Sequence, residues 1–382
     1  MEKNKLLIEI FIGLILSYII LTKYFSGERH FENLALGTET FSYQAIDKDS
    51  NLIHIIKINH NEENQFVNSL NARGKKDIFL FLGNSQTHAI NQKKNTEVNY
   101  IQLLFKQNNK KIEILCNSIP NAGLQEFYLS YFYWKNKFSI KTLIIPVFMD
   151  DLREDGIRDV FFSNLVKDKF QLDEPNNELS KKINTELRAF WSKNENTKNI
   201  DNKEDIAALK ETFQEKTEIY FNEYLNKNWR IWQNRQNVRG DFFNWLYKAR
   251  NTALRINPST ERKQIPQRFE YNLYALKLIV EDCIKSDTKV LLYIPPIRSD
   301  VDIPYNMKDY SKFKSTIKNI AFKYKGKVFY RNFEGIIPGN LWGYKESTNL
   351  IDEKEIDYMH FQFKGHQILA DSLQNAIELI IN

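Results

Sequence analysis

Three residues whose side chains can together carry out acyl transfer lie near the two ends of the chain. Ser85 lies in the run Gly83–Thr87, which directly follows the apolar run 78–82, and Asp357 and His360 stand shortly before the last predicted helix. A serine hydroxyl becomes nucleophilic when a neighbouring base takes its proton, and histidine is the usual base. A carboxylate three residues before a histidine can curl back to accept the Nδ1 proton, which leaves Nε2 as the base. This set predicts chemistry through a covalent acyl-serine intermediate.

Each of these residues also has a simpler interpretation. A serine after a strand often caps the helix that follows, so Ser85 alone does not indicate catalysis. His88 is close enough to Ser85 in sequence to compete with His360, but it lacks a carboxylate at the same spacing. His366 belongs to the predicted last helix, where packing or capping is expected. The spacing of Asp357 and His360 is therefore the stronger signal.

The order of strands and helices predicts a scaffold that can bring the two ends of the chain together. Short runs rich in β-branched and aromatic residues predict parallel strands, and helical periodicity fills the gaps between them. This alternation is typical of an α/β fold with a parallel sheet, helices on both faces and sites at the carboxyl ends of the strands. The predicted strands are 77–82, 112–116, 142–149, 289–294 and 327–333, and the predicted helices are 96–106, 124–137, 269–286, 311–324 and 362–381.

The chain divides into five predicted segments. A transmembrane anchor covers residues 1–25, and a spacer with one edge element covers 26–76. The α/β core comes in two parts, 77–164 and 269–382, separated by a charged and asparagine-rich helical insertion at 165–268. The pattern of that insertion is helical and contains no convincing strand.

The anchor is predicted from the apolar run 6–22, which follows Lys3 and Lys5. Roughly 20 apolar residues span a bilayer, so this run is long enough if Tyr24 and Phe25 lie at the interface. A cleaved signal peptide is the alternative, but no Ala-x-Ala-like site follows. A core helix is a weaker alternative, because such a helix normally carries a polar face. We therefore expect a single-pass protein of the cytoplasmic membrane with the bulk of the chain outside the cytoplasm.

Composition narrows the remaining classes of function. The chain has 382 residues, of which 42% are hydrophobic and 27% are charged, as is typical of globular proteins. The net charge of +6 suits work near an anionic lipid or polymer and does not require nucleic acid. Cys116 and Cys283 lie in apolar stretches and are interpreted as buried thiols. No metal-ligand spacing or phosphate-binding glycine loop occurs, so neither a metal nor another cofactor is expected.

A basic and aromatic stretch at 227–268 has two interpretations. It contains ten Lys or Arg residues against two acids. Tryptophans spaced i, i+3, as at Trp229 and Trp232, more often form a buried helix face. If the rings are exposed instead, Trp229 and Arg230, together with Arg153 of the core, would bind a sugar or an acidic group of a substrate. Nucleic acid could meet the same groups, but the expected location argues against it.

The segments around the candidate catalytic residues resemble the sequence blocks of the SGNH (GDSL-type) hydrolase family. The run from Gly83 to Thr87 is similar to the nucleophile block, the spacing of Asp357 and His360 to the last block, and Gly123 to the glycine block. The resemblance covers residues 77 to about 160 and 270 to 382. It implies a three-layer flavodoxin-like fold, carbohydrate-ester or acyl-transfer chemistry, and an oxyanion hole formed by the N–H groups of Ser85 and Gly123.

One block departs from the family pattern. The family usually has an asparagine after the third strand, where its amide donates to the oxyanion, and here Asp150 and Asp151 occupy that stretch. An ionised carboxylate would repel an oxyanion, and the loss of one donor typically costs about 10²–10³ in rate. A protonated aspartate, an amide from Asn84 or Asn121, or Arg153 turned into the site would replace the donor. Either aspartate could also be a turn residue or an acceptor for a substrate hydroxyl.

The layout of the whole chain is similar to that of DltD-like proteins, a membrane-anchored SGNH-like group that acts beside a membrane-bound O-acyltransferase. This resemblance implies an acylated donor, a polymer or sugar hydroxyl as acceptor, and such an O-acyltransferase as a partner. The first hypothesis is therefore a membrane-anchored serine acyltransferase or esterase that modifies a cell-envelope polymer. The alternative is a non-catalytic envelope protein of the same fold that binds a glycan or recruits the O-acyltransferase.

Overall fold

In a computed structural model of the chain, the described residues are mainly 77–88, 99–108, 113–118, 121–154, 177–201, 235–351 and 353–381. Shorter described stretches are 12–13, 15–17, 42–46, 52–55, 67–68, 156–158, 161–162, 165, 170–173, 220–221, 224–225 and 227–228.

A seven-stranded sheet forms the centre of the larger of two compact units. In chain order its strands are β1 (Ser42–Ile46), β2 (Leu52–Ile55), β3 (Asp77–Gly83), β4 (Glu113–Ser118), β5 (Ser139–Pro146), β6 (Lys289–Ile294) and β7 (Val328–Asn332). Their order across the sheet is β2-β1-β4-β3-β5-β6-β7. Strands β4, β3, β5, β6 and β7 are parallel to one another, whereas β1 is antiparallel to β2 and β4. The predicted α/β fold with a parallel sheet is thus confirmed.

The order of the parallel strands marks one position at the edge of the sheet. Counted along the chain, the five parallel strands lie in the order second, first, third, fourth and fifth, so the chain changes direction across the sheet between β3 and β5. In doubly wound sheets of this order, ligands bind in the crevice outside the carboxyl ends of the strands at this reversal. Ser85 comes two residues after the end of β3 and therefore lies at the start of that crevice.

Strand β3 shows why the sheet needs cover on both faces. Ile78, Leu80 and Leu82 belong to one apolar cluster, Phe79 and Phe81 belong to another, and all five side chains are buried. Successive side chains of a strand point to opposite faces, so a strand that is apolar at every position must be covered twice.

Helices provide this cover. On the face of Phe79 lie α1 (Tyr100–Asn108) and α7 (Phe363–Ile381). The opposite face is covered by α2 (Leu124–Lys135), α5 (Pro266–Lys285) and α6 (Met307–Lys323), with buried residues also from the first half of α3 (Glu178–Asp201). Each of the five predicted core helices is therefore present, with boundaries that differ by a few residues.

Two further strands form an antiparallel pair outside the main sheet. They are β8 (Trp342–Lys345) and β9 (Glu355–Phe361). Strand β9 carries Asp357 and His360, which the sequence placed in a turn rather than in a strand. The Arg298 N–H donates to the Tyr358 carbonyl at 3.1 Å, which ties β9 to the segment after β6.

The smaller compact unit comprises Met1–Ala35, Glu195–Asn257 and Glu346–Glu353, and the larger one comprises the rest of the chain. Within the smaller unit, helix α4 (Arg235–Ala253) contacts the segment 346–353. Asn251 Nδ2 donates to the Thr348 carbonyl at 2.8 Å, and the Leu350 N–H donates to Thr252 Oγ1 at 2.9 Å. The predicted boundaries of the insertion, 165 and 268, stay a prediction.

The predicted anchor at residues 1–25 lies outside the described residues, apart from 12–13 and 15–17. Among the helices that are described, none combines the length and the apolar character needed to cross a bilayer.

Candidate active site

Ser85 begins a short 3-10 turn directly after β3. The turn spans Ser85–Thr87, and the side chain of Asn84 caps it by accepting the Gln86 N–H at 3.1 Å. Because Asn84 supplies the cap, Ser85 does not have the capping role that its position alone suggested. Ser85 is partly exposed, whereas Asn84, Gln86 and Thr87 are buried. Of the two hydroxyl-bearing residues of the turn, Ser85 is therefore the accessible one.

Gly83 allows the turn to fold back onto the end of the strand. A Cβ atom at this position would overlap the Thr87 side chain and lie 3.2 Å from Ser118 Cβ. Thr87 is itself held in place, since its hydroxyl donates to the Asn84 carbonyl at 2.6 Å. A larger residue than glycine would thus displace the turn that carries Ser85.

Asp357 and His360 form a buried pair on β9. His360 Nδ1 lies 2.9 Å from Asp357 Oδ2 and 3.1 Å from Oδ1. Asp357 Oδ1 also accepts the Met359 and His360 N–H groups, each at 3.0 Å. The backbone donors fix the carboxylate, and the carboxylate fixes the ring with a proton on Nδ1. His360 Nε2 is buried and has no hydrogen-bond partner among the described residues.

One side chain joins the two distant segments of the candidate site. Gln86 Nε2 donates to the Met359 carbonyl at 2.8 Å and to the Pro296 carbonyl at 2.9 Å. Gln86 is the neighbour of Ser85, and Met359 is the neighbour of His360. The fold thus brings the Ser85 turn against strand β9. A direct hydrogen bond between Ser85 Oγ and His360 Nε2 is not formed, but catalytic hydrogen bonds are often loose before substrate binds.

Gly123 lies after β4, as predicted, but its N–H group is in use. It donates to Glu126 Oε2 at 3.0 Å at the start of α2, where Gly123 is the N-cap residue and has no side chain to cap the helix in return. Glu126 is 2% exposed and is paired with Arg158, whose Nε and Nη2 donate to it at 2.8 and 2.9 Å. The Gly123 N–H would have to leave Glu126 before it could bind an oxyanion.

Asp150 lies after β5 between two guanidinium groups. Arg153 Nη1 donates to its Oδ1 at 3.2 Å, and its Oδ2 accepts from Arg262 Nη1 and, at 3.0 Å, from the Tyr305 hydroxyl. Arg153 Nε is buried and has no partner among the described residues. Both oxygens of Asp150 are therefore bound within the protein.

Asp151 has a different environment from its neighbour. Its side chain is 5% exposed, and its Oδ2 accepts the Phe148 N–H at 2.9 Å. Burial raises the pKa of the Asp151 carboxyl well above its ordinary range, and the nearby negative charges of Asp150 and Glu154 act in the same direction. This environment favours a protonated Asp151, whose O–H group is one of the donors that would replace the missing amide.

The other two histidines near the site have structural contacts. His88 Nε2 lies 2.9 Å from Ser118 Oγ, a hydroxyl that is completely buried at the end of β4. His366 Nδ1 accepts the Tyr100 N–H at 3.2 Å at the start of α1, and its ring stacks on Tyr100. Burial, with a smaller effect of His360, lowers the pKa of His366 to about 3, so this ring is neutral. These contacts agree with the packing or capping role expected for His366.

Trp229 and Arg230, the other predicted substrate-binding residues, lie outside the described residues. In the part of the chain that is described, no group of histidine, cysteine, aspartate and glutamate side chains could hold a metal ion. The sequence matches no protein-family model, and no curated protein matches it.

Several residues of the site were not identified from the sequence. Glu126 stands three residues after the N-cap, as the glutamate of a capping box does, but the N-cap is Gly123 rather than serine or threonine, so the full signature is absent. Gln86 and Arg262 carry no local signal, since their partners are distant in the chain.

Proposed function

We propose that the protein is a serine esterase or acyltransferase that works through an acyl-Ser85 intermediate. Ser85 Oγ attacks the carbonyl carbon of an ester or thioester while His360 Nε2 takes the hydroxyl proton. The bond to the leaving group then breaks, and His360 returns the proton to that group. Water or an acceptor hydroxyl next attacks the acyl-serine, with His360 again acting first as base and then as acid.

One observation carries this proposal. His360 is held by a buried carboxylate at Nδ1 and has a buried, unpartnered Nε2, on a strand that is hydrogen-bonded to the Ser85 turn. An unpaired buried nitrogen costs free energy on the order of 1–3 kcal/mol. His366 Nε2 is likewise buried without a partner among the described residues, so the carboxylate at Nδ1 and the position beside the Ser85 turn are what distinguish His360. The Asp357 carboxylate would stabilise the imidazolium that forms when Nε2 takes the proton.

The site offers one oxyanion donor directly. Ser85 is the first residue of its turn, so its own N–H has no partner within that turn. Gly123 would add a second donor after its N–H leaves Glu126, which would then keep its contacts with Arg158. The partial exposure of Ser85 fits a site that a bulky acyl donor can approach.

The proposal also includes the protein family, the acyl acceptor and the partner protein. An SGNH-type, flavodoxin-like fold is supported by the strand order and by the serine at the reversal. Together with an N-terminal anchor, it makes a cell-envelope polysaccharide or polymer the acyl acceptor and a membrane-bound O-acyltransferase the partner that supplies the acyl group. Trp229, Arg230 and Arg153 are the proposed contacts with that acceptor.

Labelling with a fluorophosphonate tests the catalytic proposal without knowledge of the natural substrate. The expected result is a single adduct on Ser85, located by peptide mass spectrometry and absent in Ser85→Ala. His360→Ala is expected to slow labelling by about 10²–10⁴-fold, the usual contribution of a general base. His88→Ala is expected to label at nearly the wild-type rate, which separates the two histidines close to Ser85. No labelling of the folded wild-type protein, under conditions that modify a control esterase, would refute the proposal.

A second candidate function is a non-catalytic protein that binds a glycan or recruits the O-acyltransferase. The observation that favours it is the engagement of Gly123 N–H by Glu126 and of Asp150 by arginines, which leaves few free donors for an oxyanion. Under this function Ser85 would not label, and Ser85→Ala would bind the envelope polysaccharide as tightly as the wild type. Pull-down of the purified protein by that polysaccharide distinguishes the two cases.

A further inference from the structure

Gln86 makes contacts that are unusual for a residue in a surface turn. Its side chain is 1% exposed and reaches away from the turn into the protein. Both hydrogens of its amide nitrogen are used, one by the Pro296 carbonyl and one by the Met359 carbonyl. Its backbone N–H is also held, by Asn84 Oδ1 at 3.1 Å. The residue is thus fixed at both its backbone and its side chain.

These contacts join three segments that are far apart in the sequence. Gln86 follows β3, Pro296 follows β6, and Met359 belongs to β9. The peptide group between Met359 and His360 is in turn held from the other side, because its N–H, that of His360, donates to Asp357 Oδ1 at 3.0 Å. The peptide group next to His360 is therefore fixed by the carboxylate that orients the ring and by the residue that follows Ser85.

We propose that Gln86 is a positioning residue that sets the distance between the Ser85 hydroxyl and His360 Nε2. The inference rests on the proposed acyl-serine function and adds a residue to it. Gln86 does not transfer protons, since both hydrogens of its amide nitrogen are donated to carbonyls and its Oε1 is buried without a partner among the described residues.

The chemistry of the position explains why glutamine is suited to it. Two carbonyl acceptors require two N–H donors from one atom, which a primary amide supplies and a hydroxyl does not. Asparagine carries the same amide on an arm that is shorter by about 1.5 Å, one carbon–carbon bond, and so cannot reach both carbonyls. Methionine has a similar length and no donor.

Gln86→Met and Gln86→Asn test the inference, with Gln107→Met as the matched control. Gln107 Nε2 also joins two elements, donating to Asp371 Oδ1 at 2.9 Å, but it is exposed and lies on α1 away from Ser85. The measurements are the rate constant of fluorophosphonate labelling and the kcat and KM for p-nitrophenyl acetate. Both Gln86 variants are expected to lose about 10–100-fold in labelling and kcat with little change in KM, as for a misplacement of about 1 Å. The control is expected to match the wild type.

A double-mutant cycle distinguishes positioning from general loss of structure. If Gln86 acts through His360, Gln86→Met should cost little further rate in a His360→Ala background, where there is no base to position. Equal losses in both backgrounds, or wild-type rates in folded Gln86→Met and Gln86→Asn, would overturn the inference.

Thermal unfolding identifies the folded variants, and Gln86→Asn, which keeps a polar side chain, decides the matter if Gln86→Met does not fold. A wild-type protein that labels at Ser85 while the Gln86 variants are unaffected would refute only this inference. A wild-type protein that does not label would refute the proposed function as well.

Discussion

Replacing Asp357 by asparagine changes one carboxylate oxygen to an NH₂ group. We expect this change to move the proton of the His360 ring from Nδ1 to Nε2. In the wild type, Asp357 Oδ1 accepts two backbone N–H groups at 3.0 Å, and Oδ2 lies 2.9 Å from His360 Nδ1. An asparagine would keep its oxygen on the two backbone donors, which leaves its NH₂ group facing Nδ1. Nδ1 must then accept a hydrogen bond, so the ring proton moves to Nε2. The atom that should take the Ser85 proton would carry one already.

The size of this effect follows from the loss of the base. A carboxylate-to-amide change at this position of a serine–histidine–carboxylate set lowers the rate by about 10⁴-fold, which corresponds to about 5 kcal/mol of transition-state stabilisation. The cost in folding stability is much smaller, on the order of 1 kcal/mol, because the two backbone hydrogen bonds remain and only their charge assistance is lost.

The assay is the rate of fluorophosphonate labelling at Ser85, measured with the midpoint of urea unfolding on the same preparations. Asp282→Asn is the matched control. Asp282 accepts from the Tyr131 hydroxyl at 2.7 Å and pairs with Lys135 on α2, remote from the carboxyl ends of the strands. We expect Asp357→Asn to be folded and nearly unreactive, and Asp282→Asn to label normally. A folded Asp357→Asn variant with the wild-type labelling rate would show that His360 is not the base.

Three further predictions concern the residues around the site. Gly83→Ala is expected to destabilise the protein by about 1–3 kcal/mol, through overlap with Thr87, and to slow labelling, whereas Gly335→Ala, where a Cβ meets nothing within 4 Å, should change neither. For Asp151, whose pKa is raised by burial above the ordinary value of 3.8, the folded state favours the protonated form, so its contribution to stability is full at acidic pH and declines as pH rises through the raised pKa. Asp151→Asn should therefore lose less stability than the wild type between about pH 4 and pH 7, as measured by urea unfolding. For His366, whose pKa is lowered from 6.5 to about 3, the sign is opposite: the folded state excludes the charged ring, and stability falls as pH decreases below 6.5. His366→Asn, which can keep an acceptor for the Tyr100 N–H, should show a weaker fall over that range, and an unchanged slope would contradict the assignment.

The parallel strands of the sheet could be predicted from the sequence because they are covered on both faces. Such strands are continuous apolar runs, and β6 was predicted with the bounds Lys289–Ile294 that the structure shows. Strand β9 was missed for the opposite reason. Its sequence, Glu-Ile-Asp-Tyr-Met-His-Phe, has neither a continuous apolar run nor a regular alternation, and its strand partner in the described part of the chain is the short β8.

Contacts within the site could be predicted only between residues that are close in sequence. Asp357 and His360 are three residues apart, so their spacing predicted the contact that the structure shows. The approach of Ser85 to β9 was a hypothesis about two distant segments, and the hydrogen bond that supports it comes from Gln86, a residue with no motif of its own. The contact of Arg262 with Asp150 could likewise not be predicted from a local sequence pattern, because the two residues are 112 positions apart.

The pairing of Asp150 changes the argument about the aspartates that replace the asparagine of the SGNH pattern. An unpaired, ionised carboxylate after β5 would repel an oxyanion, so Asp150 and Asp151 are where the sequence departs from the SGNH pattern. The Asp150 carboxylate is paired, because Arg153 and Arg262 both contact it and the three side chains together carry a net positive charge. Asp151 is buried with a raised pKa and favours its neutral form. The stretch therefore presents no uncompensated negative charge to the carboxyl ends of the strands. The aspartates thus remove an amide donor without adding the repulsion that an isolated aspartate would bring, because the arginine pairing of Asp150 and the burial of Asp151 both reduce the negative charge at this strand end.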